Sequence, residues 1–282
     1  MRSRHALLVA LLLLGLAPGQ SAAEAVPPEP SQIVATYDAG LAGLSLGEFK
    51  VTATFEGSVY EMAADGRFSL LAGLLYKASG KTTSSGRLTE ASPRPARYTL
   101  SYEDNKKSQQ LQMSFARGAV SNVSIVPSKK PNPRNVPISA EQLKDVLDPL
   151  TAAFLSVRSD APAGDLEVCR QTIRVFDGRQ RFDLALTPKR TETLGRVAPK
   201  GLSGQVAVCR VRYQPIGGHR PDHPGVQFMM KTDETEVWLV PMPGMGLYMP
   251  YKILVPTGWG SGTVTLTGIK AKLGAEQRAA VP

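Results

Sequence analysis

The chain has 282 residues, 33 Lys and Arg against 24 Asp and Glu, a formal net charge of +9, two cysteines and three histidines. A hydrophobic share of 42% with 20% charged residues is enough apolar mass for a buried core and excludes a largely disordered chain. Two cysteines exclude a cysteine-rich scaffold or a zinc site built from four thiolates, and so few histidines leave little room for imidazole catalysis.

The first residues read as an export signal. Met1-Arg-Ser-Arg-His5 is a basic start, and Ala6 to Leu16 is an apolar run too short to span a bilayer comfortably, which argues against a membrane anchor. Small residues at Ser21-Ala-Ala23 and Ala23-Glu-Ala25 place cleavage near Ala23 or Ala25. No cysteine follows the run, so no lipid-modified N-terminus is available, and no transmembrane span remains after cleavage. The division is therefore a signal peptide over 1–23, a proline-rich disordered leader over 24–33, one β-rich domain over 34–272, and a flexible tail over 273–282.

From Val34 the pattern is β almost throughout. Val34 to Leu41 leads through Gly43 into Leu46 to Phe55, where Phe49, Val51, Ala53 and Phe55 alternate with Lys50, Thr52, Thr54 and Glu56. Gly57-Ser58 and Asp65-Gly66 read as turns around a strand Val59 to Ala64. Phe68 to Tyr76 fits either a strand or a short helical turn. Thr82–Thr89, Arg97–Tyr102, Gln109–Phe115 and Ala119–Val126 continue the meander. Pro127 to Pro137 is a loop with four prolines, three basic residues and no acid. It reads as a solvated surface, with a polyanion-facing role as the alternative.

The helical segment comes next. Ser139 with Gln142 forms a capping-box pattern, and Asp148-Pro149 supplies an N-cap with proline at the first helical position. A helical pair over Ser139–Val157, with Leu143, Val146, Leu147, Leu150, Ala153 and Phe154 apolar, is expected to cover a sheet face or plug a barrel end.

The stretch from Cys169 to Tyr213 is chemically the most unusual. Asp177-Gly178 between alternating apolar residues predicts a two-residue hairpin turn, with Val175 opposite Gln180 and Arg174 opposite Arg181. One face then holds Cys169, Ile173, Val175, Phe182, Leu184 and Leu186, and the strand Gln205–Tyr213 adds Ala207, Cys209 and Val211 to it. A Cys169–Cys209 disulfide is expected in an exported chain, against the alternative of two buried thiols. The opposite face collects Arg170, Arg174, Arg179, Arg181, Arg210 and Arg212. That face is either a solvent-exposed, salt-screened surface or a site for an anion, since guanidinium forks suit phosphate and carboxylate.

Beyond it, the loop Gly217–Gly225 carries His219 and His223 with Asp222, an exposed polar turn rather than a metal site, because a catalytic zinc normally takes three protein ligands. Strands are expected at Val226–Thr232, Thr235–Val240, Leu247–Thr257 and Gly262–Lys272. Met229, Met242, Met245 and Met249 suit groove lining or packing better than soft-metal binding. No Gly-rich phosphate loop, nucleophile elbow or HExxH motif is present. No metal or cofactor is expected, and nucleic acid is an unsuited partner because the arginines lack interleaved aromatics.

Three stretches, Tyr37-Asp-Ala-Gly-Leu-Ala-Gly-Leu-Ser-Leu-Gly-Glu48, Val175-Phe-Asp-Gly-Arg-Gln-Arg-Phe-Asp-Leu184 and Cys209-Arg-Val-Arg-Tyr-Gln-Pro-Ile-Gly-Gly-His219, resemble a proteobacterial periplasmic family catalogued as domain of unknown function 3108. The resemblance covers about Val34 to Lys272. It implies a periplasmic location and no established activity, so no catalytic residue carries over. The strand-rich pattern is also similar in kind to half-barrel periplasmic proteins, including lipoprotein carriers. The expected fold is all-β with a short helical segment, an antiparallel incomplete (spiral or half) β-barrel. The expected function is a non-catalytic protein supporting the cell envelope through an apolar or amphiphilic ligand or a protein partner. The alternatives are a lipid or lipoprotein carrier and, less suited, an envelope-polymer hydrolase.

Overall fold

The computed structural model describes residues 30–70, 76–90, 92–128, 130, 132–158, 161–195, 198–200, 202–242 and 245–274. The stretch 1–23 read as a signal peptide, residues 24–29 of the expected leader and residues 275–282 of the expected tail lie outside them. The first strand already begins at Ser31, inside the stretch read as disordered.

Fourteen strands follow in chain order: β1 Ser31–Leu41, β2 Leu44–Glu56, β3 Val59–Leu70, β4 Tyr76–Leu88, β5 Pro93–Asp104, β6 Ser108–Ala116, β7 Ala119–Val126, the short β8 Val157–Arg158, β9 Gln171–Phe176, β10 Arg181–Thr193, β11 Gln205–Gly217, β12 Glu236–Met242, β13 Leu247–Thr257 and β14 Gly260–Lys272. Two helices interrupt them, α1 Pro149–Phe154 and α2 Pro224–Lys231. The strands form one antiparallel sheet in the order β7-β6-β5-β4-β3-β2-β1-β14-β13-β12-β11-β10-β9, with β8 against β13. β1 thus joins an N-terminal meander to a C-terminal one, pairing with β2 on one side and β14 on the other.

The sheet leaves β7 and β9 as edges, and residues 144–147 bridge them. Asp145 N–H donates to Gly118 O (2.7 Å), Leu147 N–H to Arg174 O (2.8 Å), and Phe176 N–H to Leu147 O (3.0 Å). A bridge to Ala119 on one side and to Val175 on the other pairs one end of each edge, where backbone groups would otherwise be unpaired. The expected incomplete barrel is therefore an open sheet whose gap is crossed by a short connector.

Local departures have physical reasons. Asp65-Gly66 is not a turn but lies within β3, opposite Lys50 and Phe49. A Cβ on Gly66 would come within 2.6 Å of the Phe49 Cβ, so the glycine makes room for the ring that stacks on Tyr37 at 5.1 Å. The predicted two-residue hairpin turn is a longer loop, with Phe176 opposite Arg181. Asp177 Oδ1 accepts from the backbone of Arg179 (2.8 Å) and Gln180 (2.6 Å), and Gly178, at φ +90°, lies against Leu111 of β6 with no space for a Cβ. The register slips by two residues, so each side chain keeps its predicted face while its partner changes.

The predicted helical pair shortens to a 3-10 turn over Glu141–Leu143 and the six-residue α1. The Ser139–Gln142 box forms reciprocally (2.9 and 3.3 Å) yet caps only the turn. The stretch 226–232, read as a strand, is α2: His223 accepts from Gly225 N–H and Pro224 occupies the first turn. Cys169 and Cys209 are bonded and fully buried, tying the 3-10 turn Leu166–Cys169 to β11.

Candidate functional site

The interior is organised by α1. Asp148, fully buried, accepts from Leu150 N–H and Thr151 N–H (both 3.0 Å) on one oxygen and from Thr151 Oγ1 (2.7 Å) and Ser84 Oγ (2.8 Å) on the other. Thr151 Oγ1 in turn lies 2.8 Å from Ser84 Oγ and 3.0 Å from the Tyr60 hydroxyl. The N-cap is thus also the anchor that fixes the helix to β3 and β4. Burial raises the Asp148 pKa above the ordinary aspartate value, against the lowering effect of those hydrogen bonds. Burial likewise pushes the Tyr60 and Tyr98 hydroxyls up to about 12, so both stay neutral donors at physiological pH.

While Leu150, Thr151, Ala152 and Phe154 are buried, Ala153 is exposed. Pro149 and Ala153 line two apolar grooves, one on each side of the helix. The first, about 290 Å³, is walled by the C-terminal meander through Val175, Phe182, Leu186, Val211, Val237 and Ile253, with Met229 of α2 at its lip. The second, about 350 Å³, is walled by the N-terminal meander through Phe49, Phe68, Tyr98, Leu100 and Tyr102, with Lys81 beside them. The volumes lie near the lower end of small-molecule sites, about 300–1,000 Å³. A third, polar space of about 510 Å³ shares Phe182, Tyr213 and Met229 with the first groove and adds Gln180, His219, Arg220 and His223.

The arginine face does not assemble as read. Arg170 sits outside the strand, paired with Glu167 at 2.8 Å. Arg179 donates to Gln109 (3.0 Å) and Arg210 lies 3.9 Å from Asp233. Arg212 is exposed. Arg181 is 5% exposed, because the connector covers it: it donates to Gln142 O (2.9 Å) and Phe182 O (2.7 Å) and pairs with Asp183 (2.5 Å). Arg174 lies opposite Asp183 rather than Arg181, so the expected like-charge repulsion is absent. It faces the cleft along the connector, about 590 Å³, together with Arg94, Arg117 and Asp145. Arg181→Gln should therefore cost about 2 kcal/mol by stranding Asp183 and two carbonyls, while Arg174→Gln stays near neutral. Urea midpoints of the two variants check this, and equal midpoints would contradict it.

Of the predicted groove methionines only Met229 reaches a groove. Met242 and Met249 are core residues, and Met245 packs against that core, because β11–β13 are covered on both faces. His219 is buried and His223 caps α2; among the described residues no group of three potential metal ligands occurs. Ala153 was read as part of the helix's apolar stripe, yet it is exposed, because the two grooves flank α1 on that side. Asp148 carried a sequence signal as an N-cap, but its partner Ser84 lies 64 residues away.

No curated protein matches the chain. Among solved structures it is similar to a crystal structure titled as a beta-barrel-like protein of domain of unknown function DUF1849 from Brucella abortus. The identity is 10%, the match covers 88% of this chain and 99% of that one, and the TM-score is 0.46. The family described as protein of unknown function (DUF3108) matches residues 35–267, from within β1 to within β14, and it is to this family that the chain belongs.

Proposed function

We propose that this is an exported, non-catalytic protein of the periplasm that supports the cell envelope by holding an apolar or amphiphilic ligand against α1. The observation that carries the reading is the pair of apolar grooves meeting at the exposed Ala153. The lining of the first groove offers the hydroxyls of Ser156, Tyr213 and Thr235 but no carboxylate, imidazole or ammonium group, which supports holding over chemistry. The basic start and apolar run Met1–Leu16 and the buried disulfide support export, and no helix among the described residues is long and apolar enough to cross a membrane. A carrier of lipids or lipoproteins is the form of this function that the grooves favour most, since an acyl chain needs an apolar channel and a polar mouth such as that around His219 and Arg220.

Ala153→Phe tests this. The larger side chain occupies the space where the grooves meet and, starting from an exposed position, should leave thermal stability within about 0.5 kcal/mol. Mass spectrometry of protein purified from its native compartment should find an amphiphile on the wild type and not on the variant. The same species on both, or on neither, would refute the reading.

A further inference from the structure

The strand registers place several turns at one end of the barrel. Leu41 pairs with Gly262, Thr257 with Gly260, Leu254 with Glu236, and Arg181 with both Phe176 and Gly217. On the other meander, Gly47 pairs with Phe68, Leu70 with Tyr76, Ala78 with Asp104, Glu103 with Ser108, and Gln110 with Val126. The β1–β2 turn, the β13–β14 turn, α2 and the end of β7 therefore share a rim.

Five of the seven exposed large hydrophobics among the described residues lie on it: Trp259 (84% exposed), Leu44 (64%), Val126 (59%), Met230 (42%) and Phe228 (40%). The first two belong to abutting turns. Ala42 N–H donates to Ser261 O at 2.9 Å, and Gly260 packs against Ala42 with no room for a Cβ. Neither turn, Leu41–Leu44 or Thr257–Gly260, contains a charged residue. The acid-free loop 127–137 lies on the same rim at the β7 and β11 ends, with Lys130 and Arg134 among its described residues. It leaves the rim at Val126 and is tied back to it by Val136 N–H to His219 O (2.9 Å) and Gly218 N–H to Val136 O (2.7 Å). Asp222 and Asp233 at this end already face Arg134, Arg220 and Arg210.

We infer that this rim docks on an anionic lipid surface, with Trp259 and Leu44 entering the headgroup–acyl boundary and the rim's basic residues, Lys130 and Arg134 among them, drawn to the headgroups. Apolar side chains on separate turns do not make the contiguous patch a protein partner needs, whereas a bilayer receives each without shape matching. Tryptophan suits that boundary, and basic residues on the same rim add attraction to anionic headgroups. Docking does not depend on groove occupancy.

The chain has two tryptophans. Trp238 is 6% exposed, with its indole N–H on Glu192 at 2.8 Å, so a vesicle-induced change in emission reports on Trp259. With vesicles of phosphatidylethanolamine and phosphatidylglycerol the emission of the full mature chain should shift to the blue. Salt should weaken the binding, and co-sedimentation should drop by about tenfold for Trp259→Ser with Leu44→Ser. Ala153→Phe should dock as the wild type does, which separates this idea from the groove reading. Absence of a blue shift, equal binding to pure phosphatidylcholine vesicles, or unchanged binding of the double variant would overturn it. So would a concentration-dependent dimer that the double variant dissolves, which would make the rim a self-association surface.

Discussion

A Cys169→Ala, Cys209→Ala double variant should unfold with about 4 kcal/mol less free energy than the wild type, the chain-entropy cost of releasing a closed loop whose ends lie 40 residues apart. The bond joins a 3-10 turn to β11 in an apolar cluster with Val168, Ile173 and Tyr248, so the alanine pair also leaves two sulfur-sized sites that the surrounding side chains must refill. Both groove walls belong to strands that stay paired without the bond. The variant, kept below its lowered midpoint, should therefore retain the amphiphile, and a loss of ligand at full folding would show that the bond shapes the site. Guanidinium unfolding with and without reductant measures the effect. A reductant that leaves the midpoint unchanged would refute it.

The second large effect is at Asp148. Asp148→Ala should cost about 3 kcal/mol, combining a lost N-cap with the stranded hydroxyls of Ser84 and Thr151. Asp148→Asn should cost far less, because its carbonyl keeps the two backbone donors of α1 and its amide can donate to the hydroxyls. The pair also fixes a pH dependence. Burial raises the folded-state pKa of Asp148 above the ordinary value of 3.8. The group's stabilising contribution is then complete below the ordinary value and is lost as the pH rises through the folded-state pKa. Wild type should thus lose stability relative to Asp148→Asn as pH increases from about 4, and the difference should level off once Asp148 is ionised in the folded protein. Denaturant midpoints from pH 4 to 8 give the comparison. A gap that stays constant, or that favours the wild type with rising pH, would contradict the assigned direction.

How far the sequence reached is visible in the same elements. Alternation in Phe49–Phe55 and in Gln171–Leu186 assigned strands and faces correctly because side-chain direction in a strand is local and has period two, whereas Cys169 and Arg170 fall in a 3-10 turn before the strand. The hairpin shows the limit. Asp177-Gly178 announced a turn, but the loop it closes also packs against Leu111, a tertiary neighbour that no local pattern contains. Because the slip was by two residues, the faces held while the charge pairing did not, so Arg174 met Asp183 and Arg181 became buried. The helix starts teach the same lesson. Asp148-Pro149 and His223-Pro224 are equivalent signals, yet the second was overruled by a β-like run from Val226 to Thr232. The grooves were illegible because they are the space left when α1 meets two meanders, and Ala153 matters there only through its position.

The placement of β1 has a kinetic consequence. Its partners in β2 are a few residues away, but those in β14 belong to the far end of the described chain, and the Tyr37 hydroxyl reaches Pro250 O across 213 positions. The meander β1–β7 can form from short-range contacts as it emerges, yet one edge of β1 stays unpaired until β14 is made. Closing so long a loop adds only about 0.6 kcal/mol per doubling of its length, so the finished sheet is not penalised much. The burden falls instead on the waiting time, since non-local pairing is slow and an open edge recruits other strands meanwhile. The β1–β14 ladder is therefore a late latch: a truncation that removes β14 would leave a half-sheet with its central strand exposed, a species built to aggregate rather than a smaller working barrel.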